Sequence, residues 1–101
     1  MGSVPAASSG NVVLTGYIDV PMPRRSVVWS ALPRHVELTR SEAGCLHFEV
    51  TEDPLIEGRL NVHEIFTNRN AFEAHQKRTA GSPWAEITAG LTRHYNVEDV
   101  G

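Results

Sequence analysis

The chain has 101 residues, a formal net charge of −3 and one cysteine. That length supports a single hydrophobic core, and the charge gives no electrostatic basis for binding nucleic acid or an anionic membrane. One cysteine excludes an internal disulfide and a Cys-rich metal site, no apolar run approaches the roughly 20 residues that span a bilayer, and a cytoplasmic setting is the expectation.

Residues 1–10, MGSVPAASSG, are small, polar and unpatterned. They lack the charged start and long apolar stretch of a secretion signal, so a flexible tail is expected ahead of one domain over residues 11–101. NVVLTGYIDV is β-rich and is closed by PMP. Leu14, Gly16, Ile18 and Val20 share one face, and Val13, Thr15, Tyr17 and Asp19 the other. From Arg24 to Ala43 the spacing becomes helical, through Val28, Leu32, Val36, Thr39 and Ala43. Pro33 lies inside this run, where proline costs an ideal helix about 3 kcal/mol, so a kink or a new start is expected there. Gly44 is the expected stop.

CLHFEVTEDP alternates again, with Leu46, Phe48 and Val50 on one face and Cys45, His47 and Glu49 on the other. EDPLIEG reads as a turn. RLNVHEIFT is then a third strand, antiparallel to the second because the connection is short. Asn68 or Asn70 can cap the helix that contains AFEAHQKR, and Ser82 followed by Pro83 starts another short helix. TRHYNVEDV is a fourth strand with Tyr95 and Val97 on its apolar face.

The order β-α-β-β-α-β gives an α+β, ferredoxin-like fold, a four-stranded antiparallel sheet with helices on one face. The covered face is expected to hold Leu14, Ile18, Leu46, Phe48, Val50, Val62, Phe66 and Tyr95. Tyr17, His47, Glu49, Asn61, His63 and Ile65 fall on the open face, whose mixed character suits a subunit interface.

Leu60, Val62 and Phe66 share a face of the third strand, and Glu64 falls on that same face. An ionised carboxylate there needs a partner or water. Helix phase turns His75 inward beside Phe72, so Glu64 and His75 are expected to point into one space. A carboxylate that holds an imidazole orients a general base, and the same contact also serves as a structural tie between helix and sheet. Arg40 and Arg78 are further candidate partners for Glu64. Trp29, Phe48, Phe66, Phe72, Trp84 and Tyr95 are candidates to line an aromatic pocket, although aromatics at these spacings also fill cores. His47, His63 and His94 sit on strands, away from the covered face. No compact ligand motif accompanies them, so no metal is expected. The sequence has no GxGxxG, P-loop or GxSxG, which leaves nucleotide, flavin and serine-hydrolase sites without a motif.

GCLHFEV, EIF, AFEAH and SPW, in this order and spacing, resemble the antibiotic biosynthesis monooxygenase (ABM) domain family over roughly residues 12–99. The resemblance implies a domain that pairs through its sheet as a homodimer, a dimeric α+β barrel, with a pocket between the sheet and helices of each subunit. It also implies a cofactor-independent monooxygenase of quinols, anthrones or related phenolic aromatics, without metal, haem or flavin. Glu64 falls at the acidic position of the family's third strand and His75 at its helical histidine, which makes them the expected catalytic pair. Phe66 falls where many members have Trp, and Phe48 where Tyr is frequent. With the residue reading, the expected substrate contacts are Phe48, Phe66, Trp84, Tyr95, Arg40 and Arg78. The haem-degrading branch is a poor match, because its histidine ligand would fall near Thr88. Another branch isomerises a phosphorylated sugar. Two alternatives therefore stand beside oxygenation: an isomerase or lyase that uses the same pair for proton transfer, and a binding or stress-response module without turnover.

Overall fold

Seven elements follow the period changes of the sequence in chain order: β1 (Val12–Asp19), α1 (Met22–Arg40), β2 (Cys45–Glu52), β3 (Arg59–Phe66), α2 (Arg69–Ala80), α3 (Pro83–Ile87) and β4 (Thr92–Asp99). The computed structural model describes residues 5–101; residues 1–4 of the expected tail lie outside the described residues. Residues 5–10 hold no strand or helix, and Ser8 N donates to Asn11 Oδ1 at 2.8 Å in the turn that enters β1. The strands lie in the order β2-β3-β1-β4 and every neighbouring pair is antiparallel. This is the ferredoxin-like α+β arrangement, with an open sheet.

The core forms where one strand face meets the helices. Val12, Leu14, Ile18, Leu60, Val62 and Phe66 come from the sheet, Val28 from α1, Phe72 from α2 and Trp84 from α3. Burying each large apolar side chain contributes about 1.5–3 kcal/mol. Asn68 is the N-cap of α2, its side chain accepting from Ala71 N at 2.8 Å. Asp53 organises the β2–β3 turn by accepting from the backbone of Leu55 and Ile56. No helix among the described residues is long and apolar enough to cross a membrane.

Three expectations are corrected. First, α1 is continuous through Pro33, so no new start occurs there. Its packing carries the helix past the one missing backbone donor, as tertiary contacts commonly override propensity. The helix ends at Arg40 with Ser41 as its C-cap, so Gly44 is not its stop. Gly44 takes φ +87° at the entry to β2, where a Cβ would lie 2.6 Å from the Ala71 Cβ. Second, the buried stripe of α1 runs through Val28, His35 and Thr39, with Leu32 partly buried. At 100° per residue, position 35 falls about 20° from Val28, while position 36 falls about 80° away. His35 therefore takes the inward place that the sequence pattern gave to Val36.

Third, β2 carries a β-bulge. Cys45 pairs with Phe66 and His47 with Ile65, so Leu46 is an extra residue without a partner. Leu46 is 49% exposed rather than in the core, and Cys45 packs against the core instead of sharing the face of His47. One inserted residue reverses the parity of everything before it. From His47 onward the expected alternation holds, with Phe48 buried opposite Glu64.

Candidate active site

Helix α1 packs on β2 and on α3, and α2 packs on β3 and α3, while β4 at the sheet edge stays uncovered. Tyr95 and Val97, expected on an apolar covered face, are therefore 40% and 41% exposed. The gap between α3 and the β1–β4 edge is a cleft of about 540 Å³. Leu14 and Tyr95 line it from the sheet, Trp84 and Thr88 line it from the other side, and His35, Glu64 and His75 are its buried titratable groups. Gly16 makes one wall possible. It pairs with Tyr95, and a Cβ there would lie 1.9 Å from His94 O and 2.8 Å from the Tyr95 ring.

The α3 wall is anchored by the backbone carbonyls at its end. Arg24 of α1 donates to Ile87 O and Ala89 O, and Arg93 of β4 donates to Thr88 O at 2.6 Å. Thr88, fully buried, donates its hydroxyl to Trp84 O at 2.7 Å. Trp84 then stacks flat on His35, with centroids 4.6 Å apart and planes 6° apart.

His75 is 3% exposed and lies against Phe66 (4.9 Å between centroids) and Phe48 (5.8 Å). Its Nδ1 meets Glu42 Oε1 at 2.8 Å, and the other Glu42 oxygen is paired with Arg78, whose NH2 also reaches Thr39 Oγ1. A carboxylate only accepts, so Nδ1 carries the imidazole proton and Nε2 presents its lone pair. Nε2 lies 3.8 Å from Glu64 Oε1, on the cleft side. Burial lowers the pKa of His75, and the hydrogen bond that it donates to Glu42 partly offsets that fall. The result is a neutral imidazole with one tautomer imposed.

Glu64 is on the core face as expected, 6% exposed, and its Oε1 has no hydrogen-bond partner among the described residues. Desolvation, with a smaller contribution from Glu42, pushes its pKa up to about 8. At neutral pH it is chiefly a carboxylic acid, able to donate a proton or a hydrogen bond into the cleft. His35 has its pKa lowered to about 4, first by burial and then by His75 and Arg78. Desolvation also raises Tyr95 to about 12, which keeps its phenol neutral. Gln76, Thr79 and Arg93 add polar groups to the lining.

The structure brings His75, Glu64, Trp84 and Tyr95 to one cleft. Phe48 and Phe66 lie behind the imidazole rather than in the lining. Trp29 and Phe72 are likewise outside it. Arg40 is not a partner of Glu64: its Nε donates to Phe48 O at 3.0 Å, and it borders a separate surface groove with Leu32 and Val36. Arg78 pairs with Glu42 instead of Glu64. The carboxylate that holds the imidazole is therefore Glu42, from the α1–β2 turn, and not Glu64. Glu42 and His35 were missed by the sequence reading. The 28-32-35-39 spacing marks His35 as inward-facing, whereas nothing local in SEAG marks Glu42.

A family model described as antibiotic biosynthesis monooxygenase matches residues 11–86, from the start of β1 into α3. A Nitrosomonas europaea protein provisionally named an antibiotic biosynthesis monooxygenase is similar in structure, with a TM-score of 0.79 at 16% identity, over 96% of this chain and 100% of that one. A variant of SnoaB, a cofactor-independent oxygenase from Streptomyces nogalater, superposes with a TM-score of 0.73 at 13% identity, covering 89% and 92% of the two chains. Rv0793 from Mycobacterium tuberculosis gives 0.69 at 22% identity, covering 87% and 92%. No curated protein matches the sequence. At these identities the solved structures establish a shared fold.

Proposed function

The chain belongs to the antibiotic biosynthesis monooxygenase family, and on that premise we propose that it is a cofactor-independent monooxygenase of electron-rich phenolic aromatics such as quinols and anthrones. The observation that carries the reading is His75, whose tautomer is imposed by Glu42 and whose free Nε2 faces a cleft beside a protonated Glu64.

Dioxygen is a triplet and does not react directly with a closed-shell phenol, so the substrate must first become a strong electron donor. His75 Nε2 removes its proton and leaves a delocalised anion. That anion gives one electron to dioxygen, and the resulting radical and superoxide combine to form a carbon–oxygen bond and a peroxide anion. Proton transfer gives the hydroperoxide. Loss of its carbon-bound proton and cleavage of the O–O bond then give a ketone and water, so an anthrone methylene and O2 become a carbonyl and H2O. Glu64, still protonated near pH 7, supplies the proton to the departing oxygen. The imidazolium 3.8 Å away returns one to it.

Trp84 and Tyr95 supply apolar and polar contact for a flat ring, and the neutral phenol of Tyr95 can donate to its oxyanion. The open face of the sheet is proposed to meet a second copy of the chain, as in a dimeric α+β barrel.

Oxygen-electrode traces with a panel of hydroquinones and anthrones test the reading. Substrate-dependent uptake, one O2 per anthrone oxidised and abolished in His75→Ala, is expected. Anaerobic turnover of a carbonyl substrate with no uptake by any phenol would replace oxygenation with isomerase or lyase chemistry at the same pair. Ligand binding in the cleft without turnover would leave a binding module.

A further inference from the structure

We propose that the open face of the sheet binds a divalent transition-metal ion of the zinc class through His47, Glu49 and His63. The strands assemble this group. Glu49 and His63 are direct cross-strand partners in the β2–β3 pair, and His47 lies two residues before Glu49 on the same face. The bulge at Leu46 lies immediately before this group, and the ladder is regular from His47 onward. One ligand atom from each of the three residues falls within 4.8 Å of the others.

Three details distinguish the group from ordinary surface histidines. His47 Nε2 is buried and has no hydrogen-bond partner among the described residues. It lies 3.7 Å from Glu49 Oε1, too far for a hydrogen bond. The His47 and His63 rings meet edge to face, 4.9 Å apart at 64°, rather than stacked. Tetrahedral ligands on bonds of about 2.0–2.1 Å stand roughly 3.3 Å apart, so small side-chain rotations close the present spacing onto one ion.

Two imidazoles and a carboxylate suit Zn2+, Ni2+ or Cu2+ better than Mg2+ or Ca2+, which prefer all-oxygen sites. Three protein ligands leave at least one further coordination position, and because the same face is proposed to meet a second copy of the chain, the ion would lie within that interface. The site is separate from the cleft. His63 and Glu64 are consecutive on β3 and point to opposite faces, and the proposal does not rest on the reaction assigned to the cleft. A search for compact ligand motifs misses it because two ligands on β2 and one on β3 meet only through strand pairing.

The test is titration of tag-free, EDTA-dialysed protein with Zn2+, and with Co2+ as a visible reporter. One ion per chain at micromolar or tighter affinity is expected. His47→Ala and His63→Ala should each weaken binding at least about 100-fold and Glu49→Gln at least about 10-fold, since even supporting residues of metal sites are worth 10–100-fold. His94→Ala, on β4 beside Tyr17 and outside the cluster, should leave affinity within about twofold. Circular dichroism controls for folding, and if one histidine variant does not fold the other carries the test. Absence of a stoichiometric ion in the wild-type protein, or wild-type affinity in the cluster variants, would overturn the proposal.

Discussion

Both faces of one sheet set imidazoles beside a carboxylate, and solvent separates what each arrangement can do. On the covered face His35, Glu64 and His75 are each less than a tenth exposed. Desolvation there favours every neutral form: Glu64 holds its proton to about pH 8, and the histidines lose theirs early. Such a pair is suited to proton transfer. On the open face the Glu49 side chain is 46% exposed and stands across the ladder from His63. A carboxylate outside the helix-covered core, set beside two imidazoles, is better placed to hold a cation. Residue type alone does not choose between these roles; depth beneath the helices does.

The largest test of this contrast is removal of the base. His75→Ala should lower kcat for oxygenation by about 10³-fold, within the usual range for a positioned general base. The same measurement on His63→Ala should show little change. If His63→Ala cost as much, the division of labour between the faces would be wrong. Next is Glu42→Gln. It keeps the size of the side chain but removes the charge that fixes the Nδ1–H tautomer, so kcat should fall about 10–100-fold. Because Glu42 raises the His75 pKa, the acid limb of kcat/KM should also move to lower pH. A purely structural role for Glu42 would change stability without moving that limb.

Glu64 supplies the third test. kcat/KM should fall below the lowered His75 pKa and again above about pH 8, where Glu64 ionises. Glu64→Gln should remove the alkaline limb and slow the reaction about tenfold, the lower part of the general-acid range. Stability should respond too. The folded pKa of Glu64 is raised, so the folded state binds more protons between the unfolded value of 4.5 and about 8. Its contribution to stability falls as pH rises through that window, and Glu64→Gln should flatten the slope in urea titrations.

Much of the architecture was legible because it rests on periods that the chain repeats. The β-α-β-β-α-β order, the core faces of β1 and β3 and the burial of Glu64 all follow from alternation and turn residues. The misreadings have local geometric causes. A four-residue step along α1 drifts away from the true stripe, which concealed His35. One unpaired residue in β2 exchanged the places of Cys45 and Leu46. Glu42 was beyond reach for another reason: it sits in a turn, where no period shows which way a side chain points, and only the packing of the α1–β2 turn against α2 brings it to His75. The proposed acid and base of the cleft were thus readable from faces, while the carboxylate that holds the imidazole was not.

His35 tests desolvation without touching the proposed proton transfer. Its folded pKa, about 4, lies below its ordinary 6.5, so the unfolded state binds the extra proton between those values. Stability from this residue is intact above about pH 6.5 and is lost as pH falls towards 4. His35→Phe keeps a flat ring against Trp84 and removes the titration. It should reduce the acid-side loss by on the order of 1 kcal/mol, a figure discounted for solvent relaxation in the cleft. An unchanged acid slope would mean that His35 is better solvated than its burial implies.

The smallest expected effect decides between the two faces at the bulge. If strict alternation ran through β2, Leu46 would be a core residue, and Leu46→Ala would cost about 2–5 kcal/mol. The ladder instead leaves Leu46 unpaired and 49% exposed while Cys45 packs against the core. Leu46→Ala should therefore change the urea unfolding free energy of the isolated chain by no more than about 0.5 kcal/mol. Cys45→Ser places a hydroxyl against the apolar core and should cost more, about 1 kcal/mol or above. The order of the two effects is the diagnostic. A larger loss at Leu46 than at Cys45 would put the alternation back in register, and the His47 imidazole would then have to be placed anew relative to Glu49 and His63.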